Sequence, residues 1–426
     1  MIISLFLIFA VLLLLGVPIA LALILSTATS LLCFSDYSLV LIAQQLFAQS
    51  NSFPLMAIPL FVLAGALMGQ GGMSRRLVAL AQCIVGNLRG GMGMVAVVGC
   101  MFFACVSGST AATTAAIGTV LLPSLLKSGF SRGSATALLA TGGSIGVIIP
   151  PSVPFILMGV IGGMSIGKLF IGGIIPGILN GFALMAVVYL TARLEKHPTS
   201  GEPFSLSRFG AALLGALPAL FTVFIILGAI LTGIATATEA AILAVVWAFL
   251  VCFVFYRELD IPGLRSALVD TVRITGIVVF CIGATAPFAW LLTVEEVPAQ
   301  AAALMLGISS NPAVLTIMIM ALLLAVGTFL DLTPAMIILV PILMPIALKI
   351  GMDPVQFGVF TVMALAIGQS TPPVGIALFV ACGVSKAKIE ETVRPLIPFL
   401  IALLVILLLV AFLPALSSGF AGFVIR

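Results

Sequence analysis

The sequence predicts an all-α polytopic membrane protein, built from two inverted-topology repeats that each contain a re-entrant helical hairpin and a broken helix. Hydrophobic residues make up 62% of the 426 positions and charged residues only 7%, which excludes an ordinary soluble domain. Apolar stretches long enough to cross a membrane recur along the chain. Two regions interrupt this pattern with polar residues and proline pairs, and these regions resemble each other.

Seven apolar stretches are long enough to reach across the hydrocarbon core of a bilayer. They are residues 2–34, 53–72, 169–193, 210–231, 236–256, 272–293 and 392–415. The first has no basic residue before it and is too long for a signal-peptide core, so we interpret it as one retained span. We expect no soluble domain before or after the membrane-embedded part.

Each of the two interrupted regions has a pair of shorter apolar arms, a polar tip between them and a broken helix after them. The arms are residues 91–106 and 110–126, then 312–330 and 333–348, and the broken helices are 132–163 and 354–384. The tips read "VSGSTAATTA" and "GTFLDLTPAM". A proline pair removes two backbone donors and clashes with the preceding turn, so each pair predicts a break. A simple kink is the alternative, because proline is common in membrane helices.

The two regions come into register when the sequence is shifted by 222 positions, which indicates an internal repeat. Residues 109–151 then align with 331–373 without a gap, and Ser109 falls on Asp331. The identical residues are Leu121, Pro123, Leu126, Lys127, Gly129, Ile145, Gly146, Pro150 and Pro151, which meet Leu343, Pro345, Leu348, Lys349, Gly351, Ile367, Gly368, Pro372 and Pro373. Most of these identical residues are glycines, prolines and lysines, which are typical of helix ends and breaks. The same shift also aligns both tips and both proline pairs.

The basic residues predict the orientation. With a cytoplasmic N-terminus and re-entrant hairpins, only Lys168, Lys349 and Arg426 of the 17 basic residues lie outside, as the positive-inside rule requires. The C-terminus then lies outside, and the two hairpins open to opposite sides. The charges do not distinguish a hairpin from two short full spans, but the short arms and polar tips favour the hairpin.

Five segments resemble the large membrane subunit (DctM-type permease) of tripartite ATP-independent periplasmic (TRAP) transporters. They are "CVSGSTAATTAAIG", "IIPPSVPFILMGVIGGMSIGKLFIGGIIPG", "ILTGIATATEAAI", "GTFLDLTPAMIILVPILMPI" and "IGQSTPPVGIALF". The resemblance implies an elevator-type secondary transporter of the bacterial inner membrane, which takes up a carboxylate-bearing solute (a C4-dicarboxylate, sialic acid or sugar acid) with sodium. It implies two partners, a small four-helix membrane subunit and a periplasmic substrate-binding protein, with sodium ions and no organic cofactor or nucleic acid. The alternative is a self-sufficient dicarboxylate/sodium symporter of related architecture.

In the family that the chain resembles, sodium sites form where a hairpin tip meets the broken helix of the same repeat. This implies a first site at Ser107, Gly108, Ser109, Gly146 and Pro150, and a second at Gly327, Asp331, Gly368 and Thr371. The residues predicted to face the substrate are Thr110, Ser152, Ser370 and Pro372. Ser370 and Thr371 align with Ile148 and Ile149, so we expect the two sites to differ chemically.

The domain boundaries follow the repeats. We predict scaffold spans at 1–90, the first hairpin and broken helix at 91–165, scaffold and linker spans at 166–311, the second hairpin and broken helix at 312–385, and a C-terminal scaffold span at 386–426. The hairpins and broken helices would form the mobile transport domain.

Several polar residues have a structural as well as a functional interpretation. Asp331 is a candidate ligand, because a carboxylate between apolar arms is costly, or it only caps the next helix. Ser107, Ser109 and Thr110 could likewise only cap a helix. For Glu239, helix capping is favoured over a buried contact. Glu295 and Glu296 are assigned to a solvated outer rim rather than a docking contact, and His197 to a solvated loop.

Other functional classes fit less well. The chain has no HExxH motif, and Asp331 has no second intramembrane aspartate with which to share a proton, so the sequence argues against an intramembrane enzyme. A channel would not require two opposed hairpins. The seven cysteines lack CxxC spacing, which argues against a metal site or a disulfide framework.

Overall fold

The computed structural model describes residues 1–195 and 205–424, and these ranges contain helices but no β-strand. His197 and two basic residues used for the orientation, Lys196 and Arg426, lie outside the described residues. The helices are α1 (Ile2–Leu14), α2 (Ile19–Phe34), α3 (Val40–Ser50), α4 (Ala57–Gln70), α5 (Met73–Val85), α6 (Gly91–Ser107), α7 (Thr110–Lys127), α8 (Arg132–Ser144), α9 (Val153–Gly162), α10 (Ile166–Leu194), α11 (Leu206–Leu231), α12 (Ala237–Phe249), α13 (Ile261–Val294), α14 (Val297–Ile308), α15 (Pro312–Phe329), α16 (Leu332–Lys349), α17 (Pro354–Gly368), α18 (Ile376–Ser385), α19 (Ile389–Phe412) and α20 (Ser418–Val424).

The predicted all-α polytopic class is confirmed. Nine helical segments of the described chain are long and apolar enough to cross a membrane. Six of the seven predicted stretches coincide with such a segment. The exception is the first stretch.

The prediction of one continuous span over residues 2–34 is wrong, because the stretch forms two helices, α1 and α2. Gly16 lies between them with φ of +78°, a left-handed conformation that glycine adopts without steric cost. Pro18 follows as the N-cap of α2. The apolar length of a stretch does not reveal such a turn. The sequence also did not indicate four helices that lie outside the predicted stretches, namely α3, α5, α14 and α20.

Both predicted hairpins and both predicted breaks are present. α6 and α7 meet at Gly108 and Ser109, and α15 and α16 meet at Leu330 and Asp331. The first broken helix consists of α8 and α9, and the second of α17 and α18. The peptide bonds within both proline pairs are cis. The sequence pattern therefore located these four elements to within a few residues.

The repeat extends beyond the aligned segment. Helices α6, α7, α8, α9 and α10 begin at residues 91, 110, 132, 153 and 166, and helices α15 to α19 begin at 312, 332, 354, 376 and 389. The second series therefore repeats the first with an almost constant offset, and α10 and α19 belong to the repeat.

The helices pack in two groups. The first group, α6–α10 with α15–α20, surrounds the two broken helices, and α19 lies against both α8 and α17. The second group, α1–α5 with α11–α14, is joined through the long helix α13 and through α4. The groups meet where α5 packs on α6 and where α13 packs on α16. The predicted boundaries assign α10 and α19 to the scaffold, whereas these two helices pack against the broken helices.

Glu239 has the structural role that was favoured for it. Its backbone N–H donates to the Thr236 hydroxyl at 3.3 Å, and its carboxylate accepts from the Thr236 backbone N–H at 2.7 Å. This reciprocal pair is a capping box, which satisfies two free donors at the start of α12.

A charged cluster fixes the first turn of α5 to the segment that follows α12. The Glu258 carboxylate bridges Arg75 and Arg76, at 2.7 Å from Arg76. Arg76 also stacks over the Tyr256 ring, with its guanidinium carbon 3.7 Å from the ring centroid. The Tyr256 hydroxyl donates to the Gly215 carbonyl of α11 at 2.6 Å. The hydrogen bond from Arg76 and the charges of both arginines hold the pKa of Glu258 below its usual value.

We expect Glu258→Gln to lower the free energy of unfolding by about 1 kcal/mol at neutral pH, because the ion pairs with both arginines are lost. The effect is this small because the cluster is partly solvated and its charges are screened. The folded-state pKa of Glu258 is lowered, so this stabilisation is complete above the pKa of the unfolded chain, about 4.3, and is lost as the pH falls further. The measurement is the thermal midpoint of both proteins in detergent across that range. Glu296→Gln, at an exposed position, is the control. A difference between the thermal midpoints of the wild type and Glu258→Gln that grows as the pH falls would contradict this role of Glu258.

Candidate functional site

The first hairpin tip is a cluster of hydroxyl groups. The Ser107 and Thr113 hydroxyls lie 2.6 Å apart and share a hydrogen bond. Ser109 is the N-cap of α7, where its hydroxyl accepts from the Ala112 backbone N–H at 3.4 Å. Gly108 has a φ of +57°, so glycine is the residue that makes this turn without strain. The capping role considered for Ser109 is therefore present.

This tip lies directly against the break in the same repeat. A Cβ atom on Gly108 would lie 3.1 Å from the backbone nitrogen of Val153, and one on Gly146 would lie 3.0 Å from the Ser109 carbonyl oxygen. Backbone therefore meets backbone at both glycines. The structure brings together the tip residues Ser107, Gly108 and Ser109 with Gly146 of the predicted first site, and Pro150 lies in the same break.

The second tip makes the equivalent contact. A Cβ atom on Gly368 would lie 2.7 Å from the Gly327 Cα atom, so α15 and α17 cross with backbone against backbone. The Gly375 backbone N–H donates to the Thr328 carbonyl at 2.9 Å. The Thr371 hydroxyl donates to the Ile367 carbonyl at 2.9 Å. The tip residues Gly327 and Asp331 therefore meet the break that contains Gly368 and Thr371.

Asp331 is the only ionisable residue at either tip. It occupies the N-cap position of α16, but its side chain makes no capping hydrogen bond there. Instead, Oδ1 accepts from Nε2 of Gln369 at 2.7 Å. Among residues 1–195 and 205–424, no lysine or arginine forms an ion pair with Asp331. An unneutralised carboxylate between apolar arms is a functional candidate rather than a stabilising element.

The tips offer oxygen atoms and one negative charge. In the described part of the chain, no three His, Cys, Asp or Glu side chains cluster as a transition-metal site would require. Hydroxyl, carbonyl and carboxylate oxygens are instead the donors that suit a hard cation. The donor set therefore fits sodium.

The four residues predicted to face a substrate occupy different environments. The Ser152 hydroxyl donates to the Val147 carbonyl at 2.6 Å, and the Ser370 hydroxyl donates to the Ala140 carbonyl of α8 at 3.1 Å; both serines are buried. Thr110 is buried too, and its hydroxyl has no partner among the described residues. Pro372 is partly exposed. The Ser370 bond joins the two broken helices to each other.

Sequence reasoning missed two residues of this region. Thr113 bonds to Ser107, and Gln369 bonds to Asp331. A signal for Gln369 was present, since it is the one amide within the polar stretch from Gly368 to Gly375. Thr113 lies one helical turn after the tip, on the face that Ser107 approaches, and only the fold reveals this.

Comparisons with a family model and with individual known proteins point to the same transporter family. The family model described as "Tripartite ATP-independent periplasmic transporter, DctM component" matches residues 6–416. The chain is 42% identical to the isethionate TRAP transporter permease protein DctMQ of Oleidesulfovibrio alaskensis, over 97% of this chain and 65% of that longer protein. It is 38% identical to the 2,3-diketo-L-gulonate TRAP transporter large permease protein YiaN of Escherichia coli, over 94% of both chains.

The C4-dicarboxylate TRAP transporter large permease protein DctM of Pseudomonas aeruginosa is 38% identical, over 92% of both chains. Among solved structures, the YdaH transporter of Alcanivorax borkumensis matches with a TM-score of 0.60 at 12% identity, over 87% of this chain and 86% of that chain. At this identity the likeness concerns the fold alone.

Proposed function

Because the chain belongs to the family of DctM components of tripartite ATP-independent periplasmic transporters, we propose that it carries a carboxylate-bearing solute across the bacterial inner membrane together with sodium. The solute belongs to the C4-dicarboxylate, sialic acid or sugar acid class. The observation that carries this proposal is the contact of each hairpin tip with the break of its own repeat, next to one unneutralised carboxylate.

The chemistry of the two tips supports cation coupling. Broken helices free backbone carbonyls and N–H groups at membrane depth, where only protein, water or a ligand can satisfy them. Carbonyl and hydroxyl oxygens bind sodium, while helix N-termini favour the carboxylate of the solute. Sodium bound beside Asp331 would neutralise its charge, so ion binding and solute binding would reinforce each other.

The proposed partners are a small four-helix membrane subunit and a periplasmic binding protein that delivers the solute. One relative is named DctMQ, and this chain spans 65% of it, which leaves room there for a second membrane component. Exposed apolar side chains on α11 and α12, such as Leu214, Phe224 and Val246, could face that subunit or lipid.

Reconstitution tests this function. The permease is incorporated into liposomes with its small subunit, and its binding protein is added outside, loaded with the solute that it retains on purification. We expect uptake to require an inward sodium gradient and the binding protein. Uptake by the permease alone would favour the alternative, a self-sufficient dicarboxylate/sodium symporter. Uptake that is unchanged when potassium replaces sodium would refute sodium coupling.

We propose that the helix group α6–α10 with α15–α20 moves as one body against the remaining helices. The Ser370 bond to Ala140 and the bond between the Thr136 and Ser385 hydroxyls, 2.7 Å long, join the two repeats within this group. Moving the whole group keeps the polar tips and breaks covered, whereas opening the group would expose their backbone to hydrocarbon.

Paired cysteines test this movement in a variant without the seven natural cysteines. Val78→Cys with Gly99→Cys joins α5 to α6 across the junction, where a Cβ on Gly99 lies 3.5 Å from a Val78 methyl group. We expect this cross-link to stop uptake until it is reduced. The control is Gly118→Cys with Val384→Cys, both within the moving group, where the Cβ atoms lie 3.9 Å apart, a distance that suits a disulfide. Full uptake with α5 and α6 cross-linked would exclude the movement.

The proposed orientation places the N-terminus in the cytoplasm, the C-terminus in the periplasm, and the open ends of the hairpins on opposite sides. Ser128 and Ile350 follow the second arms of the two hairpins. In the cysteine-free variant, we expect an impermeant thiol reagent to label Ile350→Cys from the periplasm and Ser128→Cys only after the membrane is opened. Labelling of both from one side would show that the repeats are not inverted.

A further inference from the structure

Gln369 is the residue through which the second break contacts the tip carboxylate. It follows the last residue of α17, is 3% exposed, and donates from Nε2 to Oδ1 of Asp331 at 2.7 Å. Its backbone carbonyl accepts from the Ala377 N–H at 2.9 Å, at the start of α18. Its backbone N–H donates to the Leu365 carbonyl of α17 at 2.9 Å, so hydrogen bonds hold the backbone of Gln369 to the helices on both sides of the break.

The second polar atom of this amide has no protein partner. Oε1 of Gln369 is buried and accepts no hydrogen bond among the described residues. Leaving a buried amide oxygen unsatisfied costs about 1–3 kcal/mol, so such an atom needs an explanation. Gln356 in α17 differs, because its Nε2 donates to the Val410 and Ala411 carbonyls at 3.0 and 2.9 Å and neither of its polar atoms is buried without a partner.

The first repeat has no equivalent of this pair. At the 222-residue offset, Gln369 aligns with Val147 and Asp331 aligns with Ser109. The first break contributes only the Val147 carbonyl, which already accepts from Ser152. The carboxylate and the amide are thus both particular to the second repeat, and they lie against each other.

We propose that Gln369 is a ligand residue of the cation site at the second tip: Oε1 binds the sodium ion, while Nε2 holds the Asp331 carboxylate facing the same ion. An amide oxygen is a hard donor suited to sodium. The pairing orients Asp331 without neutralising it, because an amide, unlike lysine or arginine, leaves the negative charge available. This inference rests on the proposed sodium coupling.

The test is Gln369→Met, which keeps the length and volume of the side chain and removes both polar atoms. The complete transporter is reconstituted with its small subunit and binding protein, and the sodium concentration for half-maximal uptake is measured beside direct binding of radioactive sodium to the purified complex. We expect the half-maximal concentration to rise about tenfold or more, since a hydrogen bond to a charged group and one ion ligand are lost. Direct sodium binding, measured in the absence of solute, should weaken by the same factor.

The matched control is Gln356→Met, which removes a buried amide from the same helix and should leave sodium dependence unchanged. If wild-type uptake ignores sodium, the proposed function itself fails. If wild-type uptake requires sodium while Gln369→Met keeps wild-type sodium binding and half-maximal concentration, the assignment of Gln369 alone is overturned.

Gln369→Glu decides the question if the methionine variant does not fold. It retains an oxygen at the same distance but places a second carboxylate beside Asp331, and two adjacent carboxylates share a proton. Sodium must then compete with that proton, so the half-maximal sodium concentration should rise as the pH is lowered from 8 to 6, unlike in the wild type. A wild-type, pH-independent value in this variant would overturn the proposal.

Discussion

Asp331→Asn is expected to fold and insert normally but to lose sodium-driven uptake. Asparagine keeps an acceptor for Nε2 of Gln369, so the contact between the tip and the break remains. Only the negative charge disappears. Removing one member of a poorly solvated charge pair costs about 3 kcal/mol or more, which corresponds to a roughly 100-fold weaker sodium affinity.

The measurement is sodium-dependent uptake by the reconstituted transporter, with the amount of folded protein checked by size-exclusion chromatography. The control is Asp353→Asn, because Asp353 caps α17 through the Val355 and Gln356 N–H groups, and asparagine is an equally good cap. We expect wild-type sodium dependence in that control. The same result for Asp331→Asn would remove Asp331 from the cation site.

Gly327→Ala is expected to disrupt the second tip itself. The added methyl group would lie 2.8 Å from the Leu365 carbonyl oxygen and 3.2 Å from the Gly368 Cα atom. Both neighbours are backbone atoms, which cannot rotate away as a side chain can, so α15 and α17 must separate. Overpacking of this kind costs about 3 kcal/mol, and we expect a thermal midpoint several degrees lower, together with loss of uptake.

The matched control is Gly276→Ala in α13, where a Cβ atom meets nothing within 4 Å. Alanine is favoured over glycine within a helix by about 1 kcal/mol, so this variant should be as stable as the wild type or more stable. A Gly327→Ala protein with wild-type stability and uptake would mean that the close contact at Gly368 is not required for the site.

The sequence alone determined the features that depend on local backbone chemistry. The proline pairs at 150 and 372 predicted both breaks, and the polar residues around Ser109 and Asp331 predicted both tips. Glycine, proline and helix-capping residues act on the backbone within about one turn, so their effect can be recognised without the fold. The 222-residue repeat then related the two regions to each other.

Gly16 and Pro18 act on the backbone in the same local way and divide the first apolar stretch into two helices, although the length of that stretch predicts one span. The prediction of one span rests on the length and the apolar composition of the stretch. Both properties describe many residues together, so a single turn inside an apolar run does not change them.

The tertiary structure decided which side chains meet. Gln369 and Asp331 are 38 positions apart, and Ser370 and Ala140 are 230 positions apart. The packing of α10 and α19 against the broken helices was also decided at this level. Such contacts depend on how whole helices cross, because a rotation of one helix by a single residue would point a different side chain at the same neighbour. Local composition does not fix that rotation, whereas the packed core does.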